Sequence, residues 1–255
     1  AQTRHCPRLR RQSTLFHRKS ADGRNLPSRH IHTGSLRTRY TYSCMTYPWG
    51  LGTSLEGYEV MIPSSAMKLR TIAYSDSIGG VYKPAAGKIR GVVSNAASVG
   101  YLNDEGEYEP VKLLEGVRNV LFDLGINPIY NRKNGGLVVW GDKTMQSYES
   151  ALDQEHVART VCKIRTDLDK LCEPYFFEIN DADLRKQFGN AVTAYLSGIM
   201  AQKGLEDFAV VCDDSNNTQE RKNRKELWCD VALLFYNSVR FIYIPIRVVN
   251  DASQL

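Results

Sequence analysis

Residues 125–144 read Gly-Ile-Asn-Pro-Ile-Tyr-Asn-Arg-Lys-Asn-Gly-Gly-Leu-Val-Val-Trp-Gly-Asp-Lys-Thr, and signals for a helix end, a strand, a turn and a second strand follow one another there. Upstream, apolar residues recur at helical spacing from Leu113 to Leu124, and Gly125 stands where a residue of positive φ commonly ends a helix. Asn127-Pro128 favours an extended backbone, and Asn134-Gly135-Gly136 suits a tight hairpin turn. The stretch predicts helix, strand, turn and strand, as in an α/β domain.

Length and composition place the chain among globular proteins. It has 255 residues, of which 42% are hydrophobic and 24% charged. We find no apolar run close to the roughly 20 residues that cross a bilayer. No apolar segment follows the basic N-terminus, as it would in a signal peptide. We therefore expect no membrane anchor and an intracellular site of assembly.

The six cysteines are spread along the chain without a C-x-x-C pair or a histidine at zinc-binding spacing. This pattern predicts no metal site. Four of them, Cys162, Cys172, Cys212 and Cys229, fall in apolar-periodic segments. They are expected to pack as small hydrophobic residues in a reducing compartment.

The net charge of +5 comes from one end of the chain. Residues 1–40 hold 10 of the 33 Lys and Arg residues but one of the 28 acidic residues. Their few apolar residues follow no period, so residues 1–47 are predicted to be a basic low-order segment or linker. The alternative is a basic arm that binds nucleic acid through its phosphates. No nucleic-acid-binding motif surrounds it, so no specific nucleic acid is expected as a partner.

Residues 125–144 are called the deciding stretch from here on. The segment before it predicts further elements of an α/β domain. Val60-Met61-Ile62 favours a strand, and Leu69, Ile72 and Tyr74 favour a helix that Ser64 or Ser65 caps. Residues 88–102 are predicted as a strand or an irregular extended stretch, and residues 103–110 as an acidic loop. Residues 50–57 are glycine-rich and are predicted to be a flexible connection. As a phosphate loop they lack the Lys-Ser/Thr ending.

A hydrolase is the main enzymatic alternative. It would need a serine on a strained elbow, and the chain contains no G-x-S-x-G sequence. His156 is the one histidine outside the basic N-terminal segment and therefore the one candidate base. We predict that the chain is not an enzyme.

The C-terminal part predicts two helices and three strands. An apolar stripe that begins at Val157 marks a helix from about Leu152 to Cys172, which Pro174 ends. Asn180 or Asp181 is a natural cap for a second helix, which Gly204 ends.

Strands are predicted at 208–212, after which 213–218 read as a turn, and at 226–236 and 239–249. The last two runs are expected to pair with each other. The final run is apolar on both faces and contains Pro245, which suits a sheet edge.

Four segments, in this order along the chain, resemble the contractile tail sheath proteins of myophages and related contractile injection systems. They are Ile62-Pro63-Ser64-Ser65 with the Gly-Gly-Val-Tyr-Lys-Pro-Ala-Ala-Gly loop at 79–87, the deciding stretch 125–144, Tyr175-Phe176-Phe177-Glu178-Ile179-Asn180-Asp181, and the Val-Val-Cys-Asp-Asp-Ser-Asn-Asn-Thr sequence at 210–218. Tyr82 stands where the family usually has Trp, and Ser65 lies in its glycine region. The resemblance covers roughly residues 58–249.

The resemblance implies a mixed α+β fold. Residues 48–150 would be the end of a central domain that is subtilisin-like in fold but has no catalytic triad. Residues 151–255 would be an α+β C-terminal domain with a terminal strand or arm.

The implied function is mechanical. The chain would be a structural subunit that polymerises around the tail tube and contracts to drive the tube through the host envelope. Its partners would be other sheath subunits, the tail tube protein, and the baseplate and tail terminator proteins. It would be assembled in the host cytoplasm and located in the virion tail.

The resemblance also implies two sets of contact residues. Terminal arms of sheath proteins add strands to the sheets of neighbouring subunits, which points to Ile244, Ile246, Val248 and Val249. The alternative is an ordinary strand within one chain. Arg159, Lys163 and Arg165 are candidates for a basic face against the tube, with a solvated helix face as the alternative.

Overall fold

The computed structural model describes residues 42–133, 135–146, 148–240 and 242–244. The prediction of low order for residues 1–41 therefore lies outside the described residues, as do those for 241 and 245–249. The first half of the described chain contains β1 (Met45–Tyr47), β2 (Trp49–Thr53), β3 (Glu59–Ile62), α1 (Ser64–Gly79), α2 (Gly87–Arg90), β4 (Ser98–Leu102), β5 (Tyr108–Pro110), α3 (Glu115–Asp123), β6 (Ile126–Arg132) and β7 (Gly136–Val139). The second half contains α4 (Glu155–Cys172), α5 (Ala182–Ala201), β8 (Asp207–Val211), α6 (Gln219–Asn223) and β9 (Asp230–Leu234), with 3₁₀ turns at Ala151–Asp153 and Glu173–Tyr175. These elements make a mixed α+β protein.

The deciding stretch forms the predicted helix, strand, turn and strand. α3 ends before Gly125, which has a φ of +76°, and Gly136, with a φ of +71°, opens β7. β6 and β7 pair antiparallel, with Ile129 opposite Val139. β6 begins at Ile126, and β1 pairs in parallel with its first three residues.

β1 corrects one predicted boundary. Met45–Tyr47 were assigned to the low-order segment, but they form a strand against Ile126, Asn127 and Pro128. A three-residue strand is too short to show a period in the sequence. Its partner on β6, 81 residues further along, supplies the hydrogen bonds that order it.

The second sheet has the order β3-β2-β4-β5 and corrects two predictions. Residues 50–53, predicted as part of a flexible connection, lie in β2. Gly50 is required there because a Cβ at this position would lie 2.5 Å from the Met67 sulfur.

The acidic loop is a hairpin whose second arm, β5, pairs with β4. Within residues 88–102, α2 and β4 replace a single extended stretch.

α1 lies where it was predicted but buries a different face. Met67, Lys68, Thr71 and Ser75 point inwards, whereas Leu69 is 64% exposed. The predicted serine cap is wrong as well. Pro63 occupies the cap position, and the Ser64 hydroxyl donates to the Thr46 carbonyl oxygen at 2.9 Å.

Two hydrophobic cores form, one in each half. The first joins the two sheets to α1 through Met67, Val93, Val99, Ile129, Leu137 and Val139. The second lies between α4, α5 and the β8–β9 pair, and contains Ile164, Phe188, Val192, Leu196, Ile199 and Leu205. Cys162 is exposed, so its prediction as a packed residue is wrong.

The helices of the second half follow the sequence closely, but the strand pairing does not. α4 ends at Cys172 with Pro174 in the next turn, and the Asp181 carboxylate caps α5 by accepting from Leu184 N–H at 2.7 Å. β9 pairs with β8, with Asp207 opposite Leu234, and not with any of the residues of 239–249 that the structure describes. Of those residues, the described ones, 239, 240 and 242–244, form no strand. None of the helices in the described ranges is long and apolar enough to cross a membrane.

Removal of the Asn127 side chain is expected to lower the free energy of unfolding strongly for a side chain of its size. Its side chain donates to the carbonyl oxygens of Met45 and Lys143 and accepts from Lys143 N–H, and it is fully buried. Asn127→Ala leaves three buried groups unpaired, so we expect a loss of about 3 kcal/mol in the free energy of unfolding, measured in urea. The matched control is Asn131→Ala, on the exposed side of the same strand, which should change it by less than about 0.5 kcal/mol. Equal losses in the two variants would contradict this account.

Candidate functional site: the joint between the two cores

Residues 141–146, called the joint from here on, connect the two cores through hydrogen bonds on both sides. On the first side, Lys143 N–H donates to the Asn127 side-chain oxygen at 2.8 Å, and a Cβ on Gly141 would lie 2.5 Å from that oxygen. On the second side, Thr144 N–H donates to the Asp153 carbonyl oxygen and Glu155 N–H to the Asp142 carbonyl oxygen, at 2.8 and 2.7 Å. The glycine and the asparagine of the deciding stretch therefore meet in space.

Two ion pairs between α1 and α4 reinforce the joint. Lys68 Nζ lies 2.6 Å from Glu155 Oε2, and the two side chains are 3% and 7% exposed. Lys68 Nζ also donates to the Ala85 carbonyl oxygen at 3.0 Å. One turn further along α4, Arg159 pairs with Asp76 of α1. Because a buried charge without its partner is costly, the pairs fix how the two helices lie against each other.

Cys44 lies beside the Lys68–Glu155 pair, and its thiol has low reactivity. Burial of the thiol and the nearby Glu155 carboxylate raise the pKa of Cys44 to about 12. Since the thiolate is the reactive form, this cysteine is not a nucleophile at neutral pH.

A second polar cluster, called the clamp, holds the segment that follows β9 against the start of α4. Gln154 donates to the Asn237 side-chain oxygen at 2.8 Å and accepts from Ser238 N–H at 2.9 Å. The Ser238 hydroxyl donates to Asp142 Oδ2 at 2.6 Å. Arg240 donates twice to the Asp153 carboxylate, at 3.0 and 3.1 Å. Paired bonds of this kind are among the strong ones in proteins, so the chain is fixed as far as Arg240.

Ser238, Asp142 and His156 stand together, yet they do not form a catalytic triad. In a triad the histidine takes the serine proton and the carboxylate lies behind the histidine. Here the serine hydroxyl donates to Asp142 itself, and His156 Nδ1 lies 3.7 Å from the same carboxylate oxygen. No hydrogen bond among the described residues joins Ser238 to His156. The cluster therefore holds the chain and does not activate a nucleophile.

The charge of Asp142 is maintained by its neighbours. Burial raises the pKa of this carboxyl, but His156, the Ser238 hydroxyl and the Arg240 charge together hold the pKa below its ordinary value. Asp142 is therefore ionised at neutral pH and attracts Arg240, whose Nε lies 3.5 Å away.

The residues proposed to face the tube do not form one patch. Arg159 pairs with Asp76, and Lys163 donates to Asp167 one turn along the same helix at 2.9 Å. Arg165 is exposed and, two residues beyond Lys163, points to the opposite side of α4. Of the proposed strand-exchange residues, Ile244 is 76% exposed, and Ile246, Val248 and Val249 lie outside the described residues.

Sequence reasoning missed the α1–α4 pairs and the clamp. Lys68 falls on a helix face with Thr71 and Ser75, a pattern that predicts a solvated face. Asp142 stands in the deciding stretch, but its partners Ser238 and Arg240 are about 100 residues away and carry no local signal. The available signal was the Gly-Asp pair after the Trp, which marks a position of close backbone approach.

Comparison with known proteins identifies a family model and relatives that this chain matches. Residues 147–249 match the family model described as the phage tail sheath C-terminal domain. The chain is similar to the phage tail sheath proteins. The tail sheath protein of Vibrio phage KVP40 is 29% identical over 170 residues, which are 67% of this chain and 24% of that protein. The tail sheath protein of Enterobacteria phage T4 is 28% identical over 193 residues, 75% of this chain and 27% of the relative. This chain thus spans about a quarter of the length of the phage relatives it matches.

Solved structures agree on the fold. The sheath complex of an extracellular contractile injection system, PVC, in its contracted state has a TM-score of 0.68 at 21% identity, over 91% of this chain and 62% of that one. The contracted helical sheath of the anti-feeding prophage has a TM-score of 0.67 at 22% identity, over 82% of this chain and 56% of that one. The matched family and the phage relatives are tail sheath proteins, not enzymes, in agreement with the missing nucleophile motif.

The buried Lys68–Glu155 pair makes a sharp test of the α1–α4 contact. Lys68→Met and Glu155→Met each leave one charge buried without its partner, so each should lower the free energy of unfolding by about 3 kcal/mol. The double variant should lose less than either single variant, because it leaves no unpaired charge. Urea unfolding of the four proteins measures this. Lys88→Met, an exposed lysine on α2, is the control and should be neutral. Additive losses in the double variant would show that the two side chains do not interact.

The clamp should weaken in acid. Because the pKa of Asp142 is lower in the folded chain than in the unfolded one, its stabilisation is present above the unfolded value of about 3.9 and is lost as the pH falls through the folded value. We expect Asp142→Asn to lower the melting temperature at pH 6, and this difference from the parent chain to shrink as the pH falls below the unfolded value. Thermal unfolding followed by circular dichroism from pH 2.5 to 7 measures the difference. A difference that is constant over this range would contradict the assignment.

Proposed function

We propose that this chain is the C-terminal part of the structural subunit of a contractile phage tail sheath. The match of residues 147–249 to the tail sheath C-terminal domain carries the proposal. The subunit polymerises helically around the tail tube and contracts to drive the tube through the host envelope. Its partners are other sheath subunits, the tube, and the baseplate and tail terminator proteins. It acts in the virion tail after assembly in the host cytoplasm.

The physical organisation of the chain suits a mechanical role. The joint and the two α1–α4 ion pairs make one stiff body from two cores. A rearrangement of such bodies stores and releases energy through their contacts, without a cofactor or bond chemistry. Head-to-tail contacts that do not close produce the helical lattice. In the same proposal, residues 48–150 are the end of a subtilisin-like central domain. β1, which precedes this range, would join the domain through its parallel pairing with β6.

The segment after the clamp is the candidate for the contact between copies. Val239, Ile242, Tyr243 and Ile244 are 76–86% exposed, an apolar run that a free monomer would not favour. β8 and β9 form a two-stranded sheet in the part of the chain that the structure describes, so each has an open edge. Two strands alone are marginal, and a strand from a neighbour would extend the sheet. Ile244, Ile246, Val248 and Val249 are the residues we propose for this exchange.

Contact with the tube is a separate part of the proposal. Arg165 is exposed and has no carboxylate partner among the described residues, whereas Arg159 and Lys163 are each engaged within the chain. Of the three, Arg165 is therefore the most available to an acidic surface of the tube.

Electron microscopy tests the assembly directly. The subunit is expressed from its complete reading frame, purified and imaged in negative stain. The expected result is hollow tubes with a regular axial repeat. A protein that stays monodisperse at all concentrations and under conditions that favour association would overturn the proposed function.

Strand exchange predicts where assembly fails. Ile244→Asp combined with Ile246→Asp should abolish the tubes, because charged residues do not enter the apolar pairing, while the melting temperature stays within about 2 °C of the parent. The control is Ile89→Asp, an equally exposed isoleucine on α2, which should leave the tubes intact. Tubes that persist in the double variant would remove these residues from the interface.

A further inference from the structure

A cleft with a volume of about 660 Å³ lies beside the clamp. The loop before α2, α2 itself and α3 form one wall. Residues 203–204 and the segment after β9 form the other. Neither the joint nor the ion pairs fill it, so the cleft is open to a partner.

The cleft carries an excess of positive charge. Lys83, Arg90 and Lys203 line it, and none has a carboxylate partner within the residues that the structure describes. Arg90 Nε donates to the Pro84 carbonyl oxygen at 3.2 Å, which holds its guanidinium in place without neutralising it. The carboxylate of the cleft, Asp142, is already engaged by Ser238 and Arg240. An acidic group that enters would meet unbalanced cations.

Aromatic side chains line the cleft together with these cations. Tyr82, Trp140 and Tyr236 line the cleft, and the last two are 44% and 48% exposed. Tyr and Trp offer apolar area together with a polar edge and are enriched where proteins bind one another. The combination fits a short acidic peptide segment that contains apolar or aromatic residues.

The chain itself presents such a segment at the tip of the β4–β5 hairpin. Residues 101–110 read Tyr-Leu-Asn-Asp-Glu-Gly-Glu-Tyr-Glu-Pro, and the side chains of Glu105 and Glu107 are exposed. Neither glutamate pairs with a cation in the described part of the chain. Tyr101 and Leu102 are exposed next to them.

The hairpin tip is rigid before any partner arrives. The Asn103 side-chain oxygen accepts from Glu105 N–H at 3.0 Å and from Glu107 N–H at 2.8 Å. Gly106 completes the turn with a φ of +84°. A preformed tip loses little conformational entropy on binding.

We propose that the acidic hairpin of one copy docks into the basic cleft of a neighbouring copy. None of the described hydrogen bonds or ion pairs joins Glu105 or Glu107 to a cation of the cleft, so the contact is not made within one chain. A hairpin on one surface and a cleft on another make a head-to-tail contact, which propagates without closing. The inference rests on the proposed function, because it assumes that copies of this chain assemble.

A peptide-binding experiment tests the contact without requiring assembly. A fluorescently labelled cyclic peptide with the sequence of residues 101–110 is titrated with the full chain at low salt, and binding is followed by fluorescence anisotropy. Saturable binding that weakens with added salt is expected. Lys83→Glu combined with Arg90→Glu should weaken the affinity about tenfold or more.

A matched control and a charge swap make the result specific. Lys88→Glu alters an exposed lysine of the same short helix that does not line the cleft, and should change the affinity less than about twofold. A peptide in which Glu105 and Glu107 are replaced by Lys should bind the parent chain poorly and the Lys83→Glu, Arg90→Glu variant better. Circular dichroism confirms that each variant is folded.

Several results would overturn the proposal. These are the absence of saturable binding, equal binding of the parent and charge-swapped peptides, or displacement of the peptide by a single-stranded oligonucleotide that binds more tightly. Tubes in the electron microscope without peptide binding would leave the proposed function standing and remove the docking contact. Peptide binding by a protein that never forms tubes would remove the proposed assembly instead.

Discussion

The fully buried Asn127 side chain is the constraint on which the rest of the structure depends. It connects β1, β6 and the joint through three hydrogen bonds, at distances from 2.8 to 3.1 Å. The joint is then in place to accept and donate hydrogen bonds at the start of α4. Because buried polar groups must be paired, a displacement of any one of these segments leaves groups of the others unsatisfied. The asparagine therefore couples the first core to the second although it belongs to neither apolar cluster.

The contact between the cores is polar, and this fixes its geometry more than its strength. An apolar interface tolerates sliding, since dispersion and burial depend little on direction. Lys68 and Glu155 have one arrangement in which both charges are paired. One turn further along α4, the pair of Asp76 and Arg159 also requires a particular arrangement of the two helices. Two such pairs on two helices define both the spacing and the rotation of α1 against α4. Burying these charges costs free energy. Their pairing holds the two cores in a single, stiff arrangement.

The sequence predicts what local chemistry decides. Gly125 and Gly136 mark a helix end and a turn because few other residues adopt their positive φ, and Asp181 caps α5 as its position suggests. The last two of the four resembling segments, 175–181 and 210–218, lie within the residues that match the family model. Pairing across long distances was not predictable. β1 is ordered by β6, and β9 pairs with β8, because strand pairing depends on tertiary context that a period of two does not contain. The same holds for Lys68, whose burial follows from a glutamate 87 residues away.

The positions of the clamp and the ion pairs on α4 lead to one more step. Asp153, Gln154 and Glu155 are consecutive, and they hold Arg240, Ser238 and Lys68 respectively. The turn that leads into α4, residues 153–155, therefore binds both the first core and the root of the C-terminal segment. A force that arrives through residues beyond Arg240 reaches the two cores at this turn, as it would if the segment pairs with a neighbouring copy. Since the turn is tied to the joint by the Glu155 N–H bond to Asp142, the pull is shared between the cores and does not peel β9 from β8. In the proposed assembly, a change in the relation between copies is consequently taken up after Arg240, and the body before it moves as one piece.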